Sequence, residues 1–232
     1  MQLHVGTSGF SYKEWKGSFY PENLPNAGML EYYAGRLPAV EINNTFYRLP
    51  RTSVIENWAT TVPESFRFII KASRRITHFK RLKEPFDETD YLLETVGVLG
   101  DRLGAVLFQL PPNMKKDAER LTAFLEHLPA DVPSAFEFRN DSWFDDETID
   151  ILRRHQRAVV HADTDEKPIT ELTETADWGY LRLRRPGYSE GDLKDWRDRL
   201  RSTKWSKAFV FFKHEDEGAG PRMASQFLKL MA

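Results

Sequence analysis

Short apolar runs of strand length, repeated eight times, constrain the fold of this chain more than any other feature. Each run has five or six residues and is rich in β-branched or aromatic side chains, which is typical of β-strands. The runs are Leu3–Thr7, Ala39–Asn43, Arg67–Lys71, Ala105–Gln109, Ala135–Arg139, Ala158–Ala162, Tyr180–Arg184 and Ala208–Lys213. Segments with helical periodicity separate them. This alternation predicts a parallel α/β fold.

The helical segments show apolar residues three and four positions apart. The stripes are Val54, Ile55, Trp58 and Val62; Leu92, Val96 and Leu99; Leu121, Phe124, Leu125 and Leu128; and Leu193, Trp196 and Leu200. Ser189 and Asp192 resemble a capping box, and Pro221 suits a first helical position. The connection Asp163–Trp178 has only a vague helical pattern.

Eight strands in 232 residues give about 29 residues for each strand and helix unit. This spacing predicts a single compact (β/α)8 barrel of the TIM type that spans residues 1–232 as one domain. A doubly wound open sheet is the alternative. The sequence contains no GxGxxG or Walker-type loop to support that alternative.

Polar side chains follow one face of nearly every predicted strand. Because side chains alternate along a strand, Glu137 and Arg139 share a face opposite Phe136 and Phe138. The polar lines end in Ser8, Glu41, Asn43, Lys71, Gln109, Glu137, Arg139, His161, Asp163, Arg182, Arg184 and Lys213. Barrel enzymes place their sites at the carboxyl ends of the strands. The pattern therefore predicts a polar ring at that end of the barrel.

A buried salt-bridge network is the structural alternative to a functional ring. Buried charges are costly unless they are paired, and apolar residues often serve stability as well. The ring also has more cations than carboxylates, five to three, which favours an anionic ligand such as a phosphate or carboxylate. The cations are Lys71, Arg139, Arg182, Arg184 and Lys213, and the carboxylates are Glu41, Glu137 and Asp163.

Five motifs in register resemble the YecE-like family, domain of unknown function 72. They are GTSGFSYKEWKGSFYP, EINNTFYRLP, KASRRITHFKRL, LFQLPPN and FEFRNDSWF. The resemblance implies a TIM-type barrel and no particular activity. The positions that match are Gly6, Ser8, Tyr12, Trp15, Glu41, Asn43, Thr45, Phe46, Tyr47, Lys71, Thr77, His78, Gln109, Pro111, Glu137, Arg139, Ser142 and Trp143.

The resemblance weakens at the last two strands. Where many relatives read like RLHG, this chain has Arg182-Leu183-Arg184-Arg185, and where they carry two asparagines it has Lys213 and His214. Ligand contacts from these strands are expected to differ accordingly.

The leading hypothesis is a hydrolase-type or lyase-type enzyme for a phosphorylated or nucleic-acid-related substrate. Three cations are expected to hold the anion: Lys71, Arg139 and Arg184. Glu137 is the first candidate for a general base and Glu41 the second, while His78 and His161 are candidate proton shuttles. Further ligand contacts are expected from Asn43, Tyr47, Gln109, Trp143, Asp163 and Lys213.

Two other functions use the same residues. A non-catalytic binder of nucleotides or nucleic acid would use the basic segment 71–81 and the rim aromatics. The structural alternative is a solvated basic face and aromatics that seal the barrel end, which suits Trp15 and Phe19, whereas Tyr47 and Trp143 follow strand ends closely and are expected to reach a ligand. The rim aromatics are Tyr12, Trp15, Phe19, Tyr20, Tyr47 and Trp143. A carbohydrate-active enzyme would use Glu41 and Glu137 as paired carboxylates.

A divalent metal is a further alternative, which the surplus of cations disfavours. Glu41, Glu137, His161, Asp163 and His214 have suitable ligand types, but no H-x-x-x-H spacing occurs. No residue is therefore assigned to a metal.

Composition narrows the remaining possibilities. The chain has no cysteine, so disulfides and thiolate chemistry are excluded. Its net charge of −2 gives no global attraction to nucleic acid or membrane. No apolar run approaches the ~20 residues that span a bilayer, and no leader pattern precedes the first strand. We therefore expect a cytoplasmic protein with a small anionic ligand and without an obligate protein partner.

Overall fold

Eight parallel strands close into a barrel in the computed structural model, which describes residues 1–213 and 216–231. The strands are β1 (Gln2–Ser8), β2 (Ala39–Ile42), β3 (Arg67–Lys71), β4 (Leu103–Gln109), β5 (Ser134–Glu137), β6 (Ala158–Asp163), β7 (Trp178–Leu183) and β8 (Lys207–Phe212). Each strand pairs with the next in the chain, and β8 pairs with β1. The predicted (β/α)8 barrel of the α/β class is confirmed.

Seven α-helices surround the barrel within the described ranges. They are α1 (Met29–Ala34), α2 (Thr52–Thr61), α3 (Phe86–Gly97), α4 (Ala118–His127), α5 (Asp146–Arg154), α6 (Glu190–Arg201) and α7 (Ala219–Met231). Ser189 and Asp192 form the predicted capping box of α6. Pro221 is the third residue of α7 rather than the first. No helix of the described chain is long and apolar enough to cross a membrane.

The connection from β6 to β7 contains no helix, in keeping with its vague pattern. Its backbone is held instead by the strand that precedes it. Asp163 Oδ1 accepts a hydrogen bond from the Ile169 amide at 3.0 Å, and His161 Nε2 lies 3.2 Å from the Thr173 carbonyl oxygen. The side chains at the end of β6 therefore hold this connection in place.

β5 and β6 form the shortest contact in the barrel wall. They pair only at Ala135–Ala158 and Phe136–Val159. The prediction carried β5 to Arg139, but the strand ends at Glu137 and Arg139 is exposed. The two strands diverge beyond this point, which leaves a gap in the wall at the carboxyl end.

The barrel interior has its own apolar core, separate from the one beneath the helices. It consists of Ala39, Ile69, Ala105, Leu107, Ala135, Ala158, Val160, Trp178, Tyr180, Phe209 and Phe211. Close packing at the wall requires a glycine at position 6, because a Cβ there would lie 1.9 Å from the Ala39 carbonyl oxygen. This core fills the middle of the barrel, so polar groups gather above it.

Candidate functional site

A single guanidinium joins two carboxylates at the carboxyl end of the barrel. Arg182 of β7 donates from Nη2 to Glu41 Oε1 at 2.6 Å and from Nη1 to Glu137 Oε2. All three side chains are at most 3% exposed. The sequence placed Arg182 in the polar ring without assigning it a ligand role. The structure makes it the centre of the ring, since it connects β2, β5 and β7.

Glu41 is held ionised by an unusually full set of donors. Its carboxylate also accepts from Ser8 Oγ at 2.8 Å, Asn43 Nδ2 at 2.8 Å and the Tyr180 hydroxyl at 2.5 Å. Burial works to raise the Glu41 pKa, but the charges of Arg182 and Arg184 and the hydrogen bonds from Tyr180 and Arg182 outweigh it and lower the pKa to about 2. Tyr180 was not predicted as a site residue. Tyr180 lies two residues before Arg182 and therefore on the same face of the strand, and this spacing is the feature of the sequence that could have identified it.

Glu137 is connected to Lys71 through Gln109. Glu137 Oε1 accepts from Gln109 Nε2 at 2.8 Å, and Gln109 Oε1 accepts from Lys71 Nζ at 2.7 Å. Burial opposes ionisation of Glu137, yet the two arginines nearby, Arg182 and Arg184, lower its pKa. A carboxylate with a lowered pKa and both oxygens engaged is a poor proton acceptor near neutral pH. The geometry therefore does not support the predicted role of general base for Glu137, or for Glu41, whose carboxylate is engaged in the same way.

A cavity of 200 Å³ lies directly above this network. Its walls are Ser8, Tyr12, Asn43, Phe46, Tyr47, Lys71, Arg182, Arg184 and Lys213. Four of these described lining residues are cations and none is a carboxylate. The structure thus brings together the predicted ligand residues Asn43, Tyr47, Lys71, Arg184 and Lys213.

Lys71 is the cation whose proton is held least firmly. Burial lowers its pKa to about 8, and Arg182 and Arg184 add to the effect, while Glu41 and Glu137 oppose it. Nζ lies 4.5 Å from the centre of the Phe46 ring. Among the described residues, Lys71 makes no ion pair within 4.0 Å. Its amine is therefore hydrogen-bonded to a neutral amide and has no carboxylate partner among the described residues.

Arg184 occupies the boundary between this cavity and a larger one. Its Nη1 lies 3.8 Å from Glu137 Oε1, and its Nε is buried without a hydrogen-bond acceptor in the described chain. The larger cavity measures 450 Å³ and fills the gap between β5 and β6. Glu137, Arg139 and His161 line it together with Arg184.

The prediction that β6 adds its polar side chains to the ring is wrong. Ala162, not His161, pairs with Arg182, so the inward line of β6 is Ala158, Val160 and Ala162. His161 therefore points away from the ring and reaches only the larger cavity, and burial lowers its pKa to about 4. Asp163 accepts hydrogen bonds from Arg185 Nε at 2.7 Å and the Tyr188 hydroxyl at 2.8 Å, so it holds the connection after β7 as well as the one after β6, and it does not line the smaller cavity.

The remaining predicted site residues separate into rim and core. Tyr47 lines the smaller cavity and is 69% exposed, whereas Trp143 is fully buried and lines neither of the two cavities. Trp143 Nε1 donates to the Met114 carbonyl oxygen at 2.8 Å. His78 lies on the rim, 4.8 Å from the Phe46 ring, and burial with Lys71 and other cations lowers its pKa. His214 lies outside the described residues.

The described residues contain no cluster of potential metal ligands. Residues 1–213 and 216–231 contain no group of three or more His, Asp or Glu side chains placed to hold an ion.

Comparisons with known proteins were consistent in family and fold. The chain matches the family described as "Protein of unknown function DUF72" over residues 4–232. It is 25% identical to UPF0759 protein YunF of Bacillus subtilis (strain 168), over 99% of this chain and 94% of that protein. It is 31% identical to UPF0759 protein YecE of Escherichia coli (strain K12), over 72% of this chain and 60% of that protein. The crystal structure of a DUF72 family protein from Thermotoga maritima MSB8 has a TM-score of 0.87 and 29% identity, covering 100% of this chain and 99% of that one.

Proposed function

The chain belongs to the DUF72 family, and we propose that it is a lyase-type or hydrolase-type enzyme for a small carboxylated or phosphorylated compound. The proposal places the anionic group of the substrate in the 200 Å³ cavity above the Arg182 network.

The observation that carries this proposal is the uncompensated charge of the cavity. Four cations and two carboxylates (4 − 2) give the cavity and its floor a formal charge of +2. Both carboxylates are engaged by Arg182 beneath the cavity. An anion would restore neutrality and would supply an acceptor to the buried Nε of Arg184.

Separate roles follow for the residues of the cavity. Arg184 and Lys213 are the anion contacts, because they line the cavity and are not held by a carboxylate at hydrogen-bond distance in the described structure. Arg182 is fixed by Glu41 and Glu137, so it supplies a positive charge that does not reorganise during the reaction. The rest of a longer substrate would extend past Arg184 into the 450 Å³ cavity.

A thermal-shift experiment tests the anion site. Inorganic phosphate, sulfate, a hexose phosphate and the matching neutral hexose would be compared on the wild-type protein and on Arg184→Gln. A ligand at 100 times its Kd stabilises by about 2.7 kcal/mol, which is a clear rise in Tm. The exposed Arg154 of α5 provides the matched control, Arg154→Gln.

We expect phosphorylated compounds to raise the Tm of the wild type and of Arg154→Gln, with at least a tenfold loss of affinity in Arg184→Gln. A shift with the neutral hexose and none with any anion would refute the anion site. A shift that survives unchanged in Arg184→Gln would place the anion elsewhere.

An exposed pair of aromatic side chains on the rim favours a second candidate function, the binding of nucleotides or nucleic acid. Tyr47 and Phe79 are 69% and 68% exposed, and the Arg74 guanidinium lies 5.6 Å and 5.3 Å from their ring centres. Aromatic faces next to cations suit a nucleotide or a single-stranded nucleic acid. Anisotropy with a labelled oligonucleotide tests this function, which requires binding that weakens steeply with salt.

The carbohydrate hypothesis loses its structural basis. A glycosidase needs two carboxyl groups on either side of the sugar, one of them protonated. Here the Arg182 guanidinium occupies the space between Glu41 and Glu137, and the pKa of each carboxyl is lowered. The two carboxylates therefore hold the Arg182 guanidinium in place.

A further inference from the structure

We propose that Lys71 is a nucleophile whose side-chain amine forms an imine with the carbonyl carbon of a small anionic aldehyde or ketone. The inference rests on the proposed anion site and deepens it, since it names the reacting group and the class of substrate.

Lys71 lies at the carboxyl end of a barrel strand, where barrel enzymes place their reacting groups. It is the last residue of β3, and its amine reaches the cavity where Arg184 and Lys213 also lie. The hydrogen-bond acceptor at Nζ is the neutral amide oxygen of Gln109, at 2.7 Å. The ring of Phe46 covers another side of the amine. A desolvated lysine beside other cations and without a carboxylate partner is an arrangement that favours the neutral, nucleophilic amine.

Burial is the main reason that the Lys71 pKa is lowered to about 8. Of the charged groups around the amine, Arg182 and Arg184 destabilise the ammonium form, whereas Glu41 and Glu137 stabilise it. At pH 7 about a tenth of such an amine is neutral, compared with about one part in 3,000 at the ordinary value of 10.5. The neutral fraction is therefore roughly 300-fold larger.

The neighbouring cations select the substrate class. An anionic group on Arg184 or Lys213 would orient the carbonyl carbon toward Nζ within one 200 Å³ cavity. A cavity of this volume lies below the usual range for drug-sized ligands, so it suits a small compound. Oxo acids and phosphorylated aldehydes or ketones have both required groups.

The covalent step balances without a further reactant. Nζ adds to the carbonyl carbon and a C–N bond forms. Both amine hydrogens pass to the carbonyl oxygen, which leaves as water, and the product is a C=N bond. The imine nitrogen then takes one proton from solvent, and its positive charge withdraws electrons from the adjacent carbon.

Reductive trapping tests the proposal on the wild-type protein. The protein is incubated with pyruvate or with dihydroxyacetone phosphate, sodium borohydride is added, and tryptic peptides are analysed by mass spectrometry. Borohydride gives hydride to the imine carbon, which fixes the adduct as a secondary amine. Trypsin does not cleave at a modified Lys71, so the adduct appears in the peptide Phe68–Arg74.

We expect at least a tenfold enrichment of the adduct in this peptide over peptides with exposed lysines. Lys71→Arg, which keeps a cation, should lose the adduct, whereas Lys229→Arg, at an exposed position of α7 away from the cavity, should keep it. Acetone at the same concentration should label Lys71 at least tenfold less, because it carries no anionic group. Peptide mapping of the wild type decides the matter even where a variant folds poorly.

Two results would overturn the imine. One is labelling spread evenly over the lysines with both probes, and the other is equal labelling of Lys71 by acetone and pyruvate. If the anions still raise the Tm through Arg184 while Lys71 stays unlabelled, the imine fails and the anion site stands. If Lys71 is labelled equally by acetone and no anion raises the Tm, both proposals fail.

Discussion

Replacing Arg182 with methionine removes the charge that two buried carboxylates share. Methionine has a similar reach and fits an irregular apolar space, so the change acts mainly through charge. Glu41, at 0% side-chain exposure, would then lose its ion-pair partner, and Glu137, at 3%, would keep only the more distant Arg184 at 3.8 Å. The remaining donors, Ser8, Asn43 and Tyr180 on Glu41, carry no formal charge.

The magnitude follows from the Glu41 pKa. A pKa of about 2 in place of 4.5 corresponds to about 3 kcal/mol of stability at neutral pH, at about 1.4 kcal/mol for each tenfold change in proton affinity. Removing one partner of a buried ion pair costs roughly 3–5 kcal/mol in other proteins. We therefore expect Arg182→Met to lower the free energy of unfolding by about 3–5 kcal/mol at pH 7.

The pH dependence has a definite sign. In the wild type the pKa of Glu41 is depressed, so its contribution is complete above pH 4.5 and is lost as the pH falls toward 2. In the variant, burial without Arg182 should raise the pKa values of the Glu41 and Glu137 carboxyls above 4.5. Protonation of these carboxyls as the pH falls then removes the free-energy cost of burying their charge. The difference between the two proteins should thus shrink from pH 7 to pH 4.5.

Urea denaturation of both proteins between pH 7 and pH 4.5 provides the measurement. Arg154→Met, a change at an exposed arginine, is the matched control and should alter stability by less than about 0.5 kcal/mol. A loss below 1 kcal/mol for Arg182→Met at pH 7, or a loss that stays constant down to pH 4.5, would show that the carboxylates do not depend on Arg182.

Three further predictions use other parts of the molecule. Gly6→Ala should cost at least about 3 kcal/mol in urea denaturation, because its Cβ would lie 1.9 Å from the Ala39 carbonyl oxygen, and an unchanged midpoint would contradict the tight wall. His4→Leu should stabilise the protein by about 1 kcal/mol, since both buried ring nitrogens of His4 lack hydrogen-bond partners in the described chain. The His4 pKa is lowered to about 4 by burial, so the wild type should lose stability from pH 6.5 to pH 4 and the variant should lose less; parallel pH curves would refute this. Phe79→Ala should weaken binding of a single-stranded oligonucleotide about tenfold in an anisotropy titration. Phosphate binding by thermal shift should be unchanged, because Phe79 does not line the anion cavity, and intact oligonucleotide binding would exclude Phe79 as a stacking surface.

The sequence by itself determined the strands and most of the inward-facing lines. A buried parallel strand needs a continuous apolar run, so each of the eight runs overlaps a strand of the barrel. Alternation along the strand then placed Glu41, Lys71, Gln109, Glu137 and Lys213 toward the interior or its mouth, because parity is a local property of the chain.

Only the tertiary structure decided which charges neutralise one another. Arg182 and Arg184 share one strand face and one charge, yet Arg182 lies between two carboxylates while Arg184 borders two cavities. The two arginines differ because they lie at different heights along the barrel axis and at different distances from the carboxylates on other strands. These distances are set jointly by strands that are far apart in the chain. A local pattern contains no such distances.

The sixth strand shows the same limit. His161 and Asp163 had the polarity of an inward line, but the pairing of Ala162 with Arg182 turned them outward, toward a connection that has no helix to cover the sheet. A shift of one residue in strand register exchanges the two faces, and that register is set by the neighbouring strands. The early divergence of β5 and β6, which opens the larger cavity beside Arg184, likewise arises from pairing between strands.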